Sequence, residues 1–566
     1  MVSFGRLSRR LTGRLSRRLA PSRPDSLPGS APLPRGAAIL AVALVVAAWP
    51  AGPWAPSSLH AQEAAPPEVV ELTVDQVQEG FEAGRFTSVE LTRAFLERIE
   101  RYDGHYNAFI SLNPDALADA EALDRERAAS GPRGPLHGVP IALKDNLDQA
   151  GTVTTAGFEG FSSGAGGVDM VPARDAEVVR RLREAGAVFI GKTNLPDFAG
   201  HGTRTRSSVS GVTLNPYATD RVPGGSSGGT ATAVNASFAV LGIGTDTGGS
   251  ISNPSAAQAL ASLKPTFGLV PLHGVVPLDA SYRDVVGPMA RSIRDVALTM
   301  DVIAGPSPLD LATYGAVEHL PEEGFAAGLS EGSLEGKRFG LVGLGWRRDF
   351  LPLEEETAEI YQEAIALLES LGAEVVLDPF AGTGWVDLYD GAPRPGPSTG
   401  SHDMFVYMQG LAESSPFRTP GEWEALTGRS MPGNRTGPPV HPGATEAGDA
   451  FQGWRHDLRT LFRRVLEDHE LDGLFFPQAG GPLRPMVEDP ERPDYQPNNH
   501  PELPSNITNA LGVPVATVPY AYYRDGTPFV LAFIGDLWTD WELLSWAYAL
   551  EQATQARRAP ELTPEP

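Results

Sequence analysis

The chain has no cysteine among its 566 residues. That absence excludes thiol nucleophiles, thiolate metal sites, iron–sulfur clusters, disulfides and a lipidated N-terminal cysteine. Lysine is scarce too: of 45 basic residues, only Lys144, Lys192, Lys264 and Lys337 are lysine, and the rest are arginine. Arginine can hold a salt bridge or a phosphate, but it does not release its proton near neutral pH. The few lysines therefore have a chemistry the arginines lack, and three of them fall between 144 and 264. Positive charge is in deficit overall, with 70 acidic residues and a net charge of −25. A chain this acidic repels nucleic acid and anionic membranes, so neither is expected as a partner. No apolar run reaches the ~20 residues needed to span a bilayer.

What is present is otherwise ordinary. Apolar residues make up 41% and charged residues 20%, which excludes wholesale disorder. The 62 glycines and 51 prolines point to many loops. At ~150 residues per domain the length allows two to four domains, although large α/β enzymes exceed that figure. No internal repeat or clean linker breaks the chain, so one large catalytic domain over residues 63–566 is expected.

Residues 1–35 hold eight arginines and one acid, and an apolar run of 14 residues, 36–49, follows. Its length fits the core of a secretory signal, with a small-residue cleavage site near Ala61. Residues 1–62 thus read as an export signal, and the pairs Arg9-Arg10 and Arg17-Arg18 suggest a twin-arginine route. Cleavage removes those eight positive charges and one negative, leaving about −32 on an exported, periplasmic or extracellular product with no stable membrane insertion. The other reading of this segment is an uncleaved anchor.

Thr73-Val-Asp-Gln76 and Thr87-Ser-Val-Glu90 are capping boxes, each predicting a helix start. Leu91, Phe95, Leu96 and Ile99 recur at helical spacing, ending near Tyr102. Residues 139–143 read as a short buried strand leading into Lys144. A helix over 176–186 and a strand over 187–190 follow, then a helix over 231–236, a strand over 238–243 and a helix from about Ile251. Later come a strand at 338–342, a helix at 355–371 and a strand at 374–377, with further core elements at 514–518, 529–534 and 541–556. This alternation predicts a layered α/β fold around a mixed sheet. The Gly-, Pro-, Ser- and Thr-rich stretch 391–448 is either a loop insertion around a site or poorly ordered.

Two glycine–serine loops carry the chemistry: Pro223-Gly-Gly-Ser226-Ser227-Gly-Gly229 and Gly244-Thr-Asp-Thr247-Gly248-Gly249-Ser250. Glycines beside a serine let backbone N–H groups approach a ligand without Cβ obstruction. In the second loop a strand enters and a helix leaves, so Ser250 is expected at a helix N-terminus, with the amides of Thr247, Gly248 and Gly249 free to line an anion pocket. An acyl-transfer site needs such a hydroxyl and donors fixed where the oxyanion forms. No nearby histidine has an obvious claim as base. Lys144 follows a buried strand, where desolvation lowers a lysine pKa toward neutrality, and a neutral lysine can accept a serine's proton.

The stretches Gly134-Pro-Leu-His-Gly-Val-Pro-Ile-Ala-Leu-Lys144-Asp-Asn146, Gly191-Lys-Thr-Asn194, Gly224-Gly-Ser-Ser-Gly-Gly229, Gly244-Thr-Asp-Thr-Gly-Gly-Ser250, Leu263-Lys-Pro265 and Asp284-Val-Val-Gly-Pro288 closely resemble the amidase signature family, most of all exported bacterial amidases of the peptide-amidase type. The match is strong over about 70–305, with the signature core at about 134–305. It is thin over about 305–500, which contributes to the substrate side, and returns at about 500–556 from Gly512-Val-Pro514 onward. The resemblance implies a mixed central sheet flanked by helices on both faces and hydrolysis of a carboxamide with no metal or cofactor. By position, it implies a Ser–Ser–Lys triad: Ser250 as nucleophile, Ser226 as the bridging serine after a cis peptide, and Lys144 as the base. Ser227 would help hold the lysine, and the second loop would supply the oxyanion hole. The implied substrate is a small-molecule or peptide amide; oligomeric state is not legible. Departures from the family pattern are Ser252, Asn253, Ala257, Gln258 and Val530.

Three other readings compete. Gly224-Gly-Ser226-Ser-Gly228 formally matches the nucleophile elbow of α/β-hydrolase esterases, with Ser226 attacking and His402, His441 or His456 as base. The glycine loops could instead form a non-catalytic cradle for an amide or peptide. Within the family, the glutaminase component of a tRNA-dependent amidotransferase is the third. His137 and His201 lie near the motifs, where each either touches substrate or is structural. No His-Glu-x-x-His or comparable metal spacing occurs.

Overall fold

The computed structural model describes residues 67–394, 398–486 and 506–564. The expected export signal, 1–62, lies outside the described residues. Among the described residues, no helix is long and apolar enough to cross a membrane.

Thirteen strands are present among the described residues: β1 (Phe109–Leu112), β2 (Pro140–Lys144), β3 (Val188–Thr193), β4 (Arg206–Ser207), β5 (Gly211–Val212), β6 (Leu241–Asp246), β7 (Ala261–Lys264), β8 (Val285–Ala290), β9 (Arg338–Leu341), β10 (Glu374–Leu377), β11 (Gly473–Pro477), β12 (Val515–Tyr522) and β13 (Pro528–Ile534). β4 and β5 form a small hairpin. The other eleven build one sheet in the order β1-β3-β2-β6-β8-β7-β12-β13-β11-β9-β10. The sheet is mixed, as expected, and helices flank it. β2 runs parallel to β3 and to β6, whereas β6, β8, β7, β12, β13 and β11 pair antiparallel in turn, and β11, β9 and β10 are parallel again. β2, β3, β6 and β8 are buried along their whole length. Strands covered on both faces lose the alternation of polar and apolar residues, and here the apolar start of β2 and β3 gives way to polar residues at the carboxyl ends.

Both capping boxes form. Thr73 caps the helix Val74–Glu82 and Thr87 caps Ser88–Tyr106, each with the reciprocal side-chain bond from its Gln76 or Glu90. The second helix runs one turn past the expected end and stops where Asn107 turns left-handed. The strand expected at 238–243 starts later and ends later, at Leu241–Asp246. Thr245 and Asp246 pair with Val286 and Val285 of β8, so three residues read as loop are strand.

The stretch 391–448 is mostly loop among its described residues, with helices set into it, and its Thr399 reaches the cavity described below. Gly400–Met408 and Pro420–Thr427 are helices, and Glu446–Asp468 begins at its end. Composition hides its helices because some of its prolines, glycines and threonines mark helix boundaries. Thr419 is an N-cap followed by Pro420 in the first turn, Gly428 is a left-handed C-cap, and Thr445 caps the long helix; these are the positions such residues favour. Its apolar residues Met404, Met408, Phe417, Trp423 and Met431 join Phe158, Phe161 and Phe198 in a second core cluster.

Candidate active site

Lys144 ends β2, and its parallel neighbour β6 runs in register with it through Leu143 and Ile243. The two strands therefore deliver Lys144 and Thr245 to the same carboxyl edge of the sheet, where α/β sheets place their crevices. Lys144 is fully buried. Its Nζ lies 2.8 Å from Ser226 Oγ, 2.9 Å from Thr245 Oγ1 and 3.2 Å from the Thr245 carbonyl. Asn146 Nδ2 donates to the same Thr245 hydroxyl at 3.0 Å. Burial pushes the Lys144 ammonium down to about 7, although the carboxylates of Asp246 and Asp284 pull the other way.

This arrangement suits both protonation states. An ammonium donates to all three oxygens. A neutral amine keeps two N–H bonds, both usable by Thr245, and turns its lone pair toward Ser226, whose O–H then becomes the donor. No partner has to move. Thr245 was not singled out in the sequence, because only the parallel pairing of β2 with β6 brings it to the lysine.

Ser226 follows a cis Gly225–Ser226 peptide bond and is fully buried at the start of helix Gly228–Asn235. Its loop is braced from behind by Gln258, whose Nε2 donates to the carbonyls of Pro223 (2.9 Å) and Gly228 (3.3 Å). The glycines were expected to make room for a ligand. At Gly224 and Gly225 the room is taken by the protein: a Cβ on Gly224, which has φ +74°, would lie 2.4 Å from Pro254 Cα, and one on Gly225 would lie 2.7 Å from the His201 carbonyl. Ser227 does not bond Lys144 directly. Its hydroxyl donates to the Thr245 carbonyl at 3.1 Å, so it steadies the strand end that holds the lysine.

Ser250 stands beside this loop. The Ser227 amide donates to the Ser250 carbonyl at 3.3 Å, tying the two loops together. Among the described residues no hydrogen bond joins the Ser226 and Ser250 hydroxyls directly. Ser250 precedes the short helix Ser252–Ala257 and lines a cavity of about 750 Å³ together with Thr247 and Gly248. The expected trio of free amides needs correction. The Gly249 amide donates to Asp246 Oδ1 at 2.7 Å, and that of Ile251 to Asp246 Oδ2 at 2.6 Å. Asp246 thereby folds the loop around its carboxylate and uses up the Gly249 donor. The amides of Thr247, Gly248 and Ser250 make no hydrogen bond among the described residues. Thr247 is fixed from its side chain, which donates to Asp284 at 2.6 Å.

The far wall of the cavity comes from the region with the weakest sequence signal: Trp346, Arg347, Arg348, Asp349, Tyr389 and Asp390. Arg347 pairs with Asp349 at 2.7 Å, Arg348 with Asp387 and Asp390 at 2.6 Å each, and Arg283 with Asp279. The arginines lining the cavity are all paired with aspartates, so its mouth is polar and balanced in charge.

The family model for Amidase matches residues 90–544. The chain belongs to the amidase signature family. It is 31% identical over 509 residues to a glutamyl-tRNA(Gln) amidotransferase subunit from Alkaliphilus metalliredigens, across 86% of this chain and 97% of that protein. It superposes on the native peptide amidase from Stenotrophomonas maltophilia with a TM-score of 0.71 and 34% identity, covering 87% of this chain and 99% of that one. An amidase family protein from Bacillus anthracis gives a TM-score of 0.69 at 26% identity, with 87% and 93% coverage.

Within this amidase, two departures from the family pattern have defined contacts, and Asn253 also lines the cavity. Gln258 is the brace described above, and Asn253 Oδ1 accepts from Gln478 Nε2 at 3.1 Å. The esterase elbow does not form. Apart from an isolated bridge at Arg221, no strand leads directly into Ser226, and the Ser227 amide ties the segment to the second loop instead. None of its candidate bases bonds Ser226 among the described residues. His402 leans on Asp403 at 3.1 Å, with its ring edge-on to His441, and His456 is exposed. His137 is structural: its Nε2 meets the Leu123 carbonyl at 3.0 Å, and Nδ1 accepts from the Arg133 amide. His201 lines the cavity, and its Nδ1 accepts from the amides of Thr203 and Arg204 at 3.1 Å each.

Proposed function

We propose that this amidase cleaves the C–N bond of a carboxamide by way of an acyl-enzyme on Ser250. Ser226 relays protons between Ser250 and Lys144. The observation that carries the reading is the buried amine of Lys144 at 2.8 Å from Ser226 Oγ, with its two other contacts both on Thr245. Ser250 Oγ attacks the carbonyl carbon as its proton passes to Ser226, and the Ser226 proton passes to Lys144. The oxyanion forms against the uncommitted amides of Thr247, Gly248 and Ser250. The reverse relay protonates the departing nitrogen, the C–N bond breaks, and water repeats the sequence on the ester. The two hydroxyls must draw within hydrogen-bond reach when substrate seats, a tightening usual for catalytic bonds that are long in a free enzyme.

A polar, charge-balanced cavity suits an extended polar amide, and the likeness to a peptide amidase favours a peptide C-terminal amide releasing ammonia. The basic then apolar stretch over 1–62 supports export of the enzyme, checked by N-terminal sequencing of the mature protein after cell fractionation. The second reading is the glutamine-hydrolysing component of an amidotransferase, favoured by the name of the curated relative and its 97% coverage; the acidity of the chain and the basic leader weigh against it. A panel of peptide amides, aryl amides and free glutamine, with ammonia and amine measured separately, distinguishes the two. Labelling by a fluorophosphonate probe should occur on Ser250, vanish in Ser250→Ala and leave Ser226 unmodified. Labelling of Ser226 instead would restore the elbow reading, and no labelling of a folded protein would favour a binding role.

A further inference from the structure

Beyond the helix Asp540–Thr554 the chain continues as an irregular tail. It is fastened at separate points: the Arg558 amide donates to Tyr522 Oη at 2.8 Å, and the Thr563 amide to Tyr106 Oη at 2.9 Å. Arg557 turns inward from this tail, with its side chain 10% exposed. One edge of the guanidinium holds a carboxylate, Nε and Nη2 donating to the two oxygens of Glu71 at 2.7 and 2.8 Å. The rest of the fork is also occupied. Nη1 donates to the Ala259 carbonyl at 2.5 Å and lies 3.4 Å from that of Gln258, and Nη2 donates to Asn235 Oδ1 at 3.1 Å.

These contacts lead to Ser226. Asn235 is the last residue of the helix Gly228–Asn235, which starts two residues after Ser226. Ala259 follows Gln258, the fully buried brace on the carbonyls of Pro223 and Gly228. Gln258 also exchanges hydrogen bonds with Thr232 of that helix, at 3.1 and 3.2 Å, and its Oε1 lies 3.5 Å from Asn235 Nδ2. Ala259 is left-handed, with φ +49°. A residue with a Cβ keeps that conformation only where its surroundings fix it, and here the guanidinium takes its carbonyl. The anchor is tied to the same helix, since the Glu71 amide donates to Ser237 Oγ at 3.1 Å. A guanidinium so paired and hydrogen-bonded makes a rigid link between the turn that carries the brace and the far end of the helix that follows Ser226.

We propose that Arg557 is a positioning residue for the proton relay: by fixing the Ala259 carbonyl and the Asn235 side chain, it holds the turn from which Gln258 sets the Ser226 loop. The role rests on the Ser–Ser–Lys reading of the site. Among the described residues Arg557 bonds to no member of the triad, so its effect on rate passes through Gln258. The distance at stake is the 2.8 Å between Ser226 Oγ and Lys144 Nζ, and a displacement of about 1 Å at a reacting group costs up to about 10²-fold in rate.

The test measures kcat and KM on one amide that the wild type hydrolyses, using the purified protein, Ser226→Ala, Arg557→Met, Gln258→Met and the double variant of the last two. Each is assayed well below its own melting midpoint, so that only folded enzyme is compared. We expect Ser226→Ala to be inactive and Arg557→Met to lose about tenfold or more in kcat with KM within about twofold. The double variant should lose no more than Gln258→Met alone, because the two side chains act in one path. In Arg557→Met the bend of the pH profile should also move down, as the Lys144 ammonium loses Ser226 as an acceptor. Arg557→Lys keeps the charge opposite Glu71 but not the fork; it should melt near wild type with kcat between wild type and Arg557→Met, and it serves alone if the methionine variant does not fold. Wild-type kcat and pH profile in a folded Arg557 variant, beside an inactive Ser226→Ala, would overturn the proposal and leave the triad standing. Losses in Arg557→Met and Gln258→Met that simply add would overturn it too. Activity retained in Ser226→Ala would overturn the triad reading, and the proposal with it.

Discussion

The pH profile of the reaction is the sharpest test of the lysine's role. With Lys144 held at about 7, the neutral fraction falls tenfold per pH unit below that point, so about one enzyme in a hundred is competent at pH 5. The value of kcat/KM on a fixed amide should therefore climb with unit slope from pH 5, bend near 7 and level off by about pH 8. An ordinary lysine would still be climbing at pH 9, because its pKa is about 10.4. Lys144→Arg preserves the charge but holds its proton throughout, so kcat/KM should fall by about 10³-fold or more at the plateau. The assay is ammonia release under subsaturating substrate, with a solvent isotope effect to show that chemistry limits the rate. A flat profile from pH 5 to 9 with chemistry limiting, or an arginine variant that keeps substantial activity, would refute the reasoning.

Further outcomes follow from the same geometry. Thr245→Val removes an acceptor that favours the ammonium over the amine, so the bend should move down by about one pH unit, measured by the same profile. Lys144→Met abolishes activity but also removes a buried base whose pKa lies below its value of 10.5 in the unfolded chain. Between about pH 7 and 10.5 the unfolded wild type binds a proton that the folded state lacks, so wild-type stability rises with pH across that window. The stability of Lys144→Met relative to wild type should thus improve by about 1.4 kcal/mol per unit as pH falls from 10.5 to 7, then stay constant, as denaturant melts at several pH values will show. Gly224→Ala puts a Cβ 2.4 Å from Pro254 Cα at φ +74°. It should cost about 2–4 kcal/mol in denaturant melts and displace Ser226, so activity falls more than stability alone explains.

Much of the candidate site's edge was legible in the sequence because its signals are local. The capping boxes at Thr73 and Thr87, the apolar run before Lys144 and the two glycine–serine loops are contiguous motifs whose backbone demands are met within a few residues. Lysine scarcity marked Lys144 for the same reason: a residue type is visible without knowing its neighbours. Thr245, Asp246 and Gln258 were not legible as site residues. Thr245 reaches Lys144 only through parallel pairing of strands about a hundred residues apart. Asp246 takes the Gly249 amide, and Gln258 holds two carbonyls of the other loop; both are side-chain choices fixed by packing. The two helices inside 391–448 were not legible for a related reason, since caps such as Thr419, Pro420 and Gly428 become recognisable only when Met404, Trp423 and their neighbours bury an apolar face. Sequence alone thus determined which chemistry the chain could offer at its sheet edge, through motifs read in line. Tertiary structure alone decided which amides remain available, what steadies the lysine and what walls the cavity, because burial and cross-strand contact are properties of distance in space and not of order along the chain.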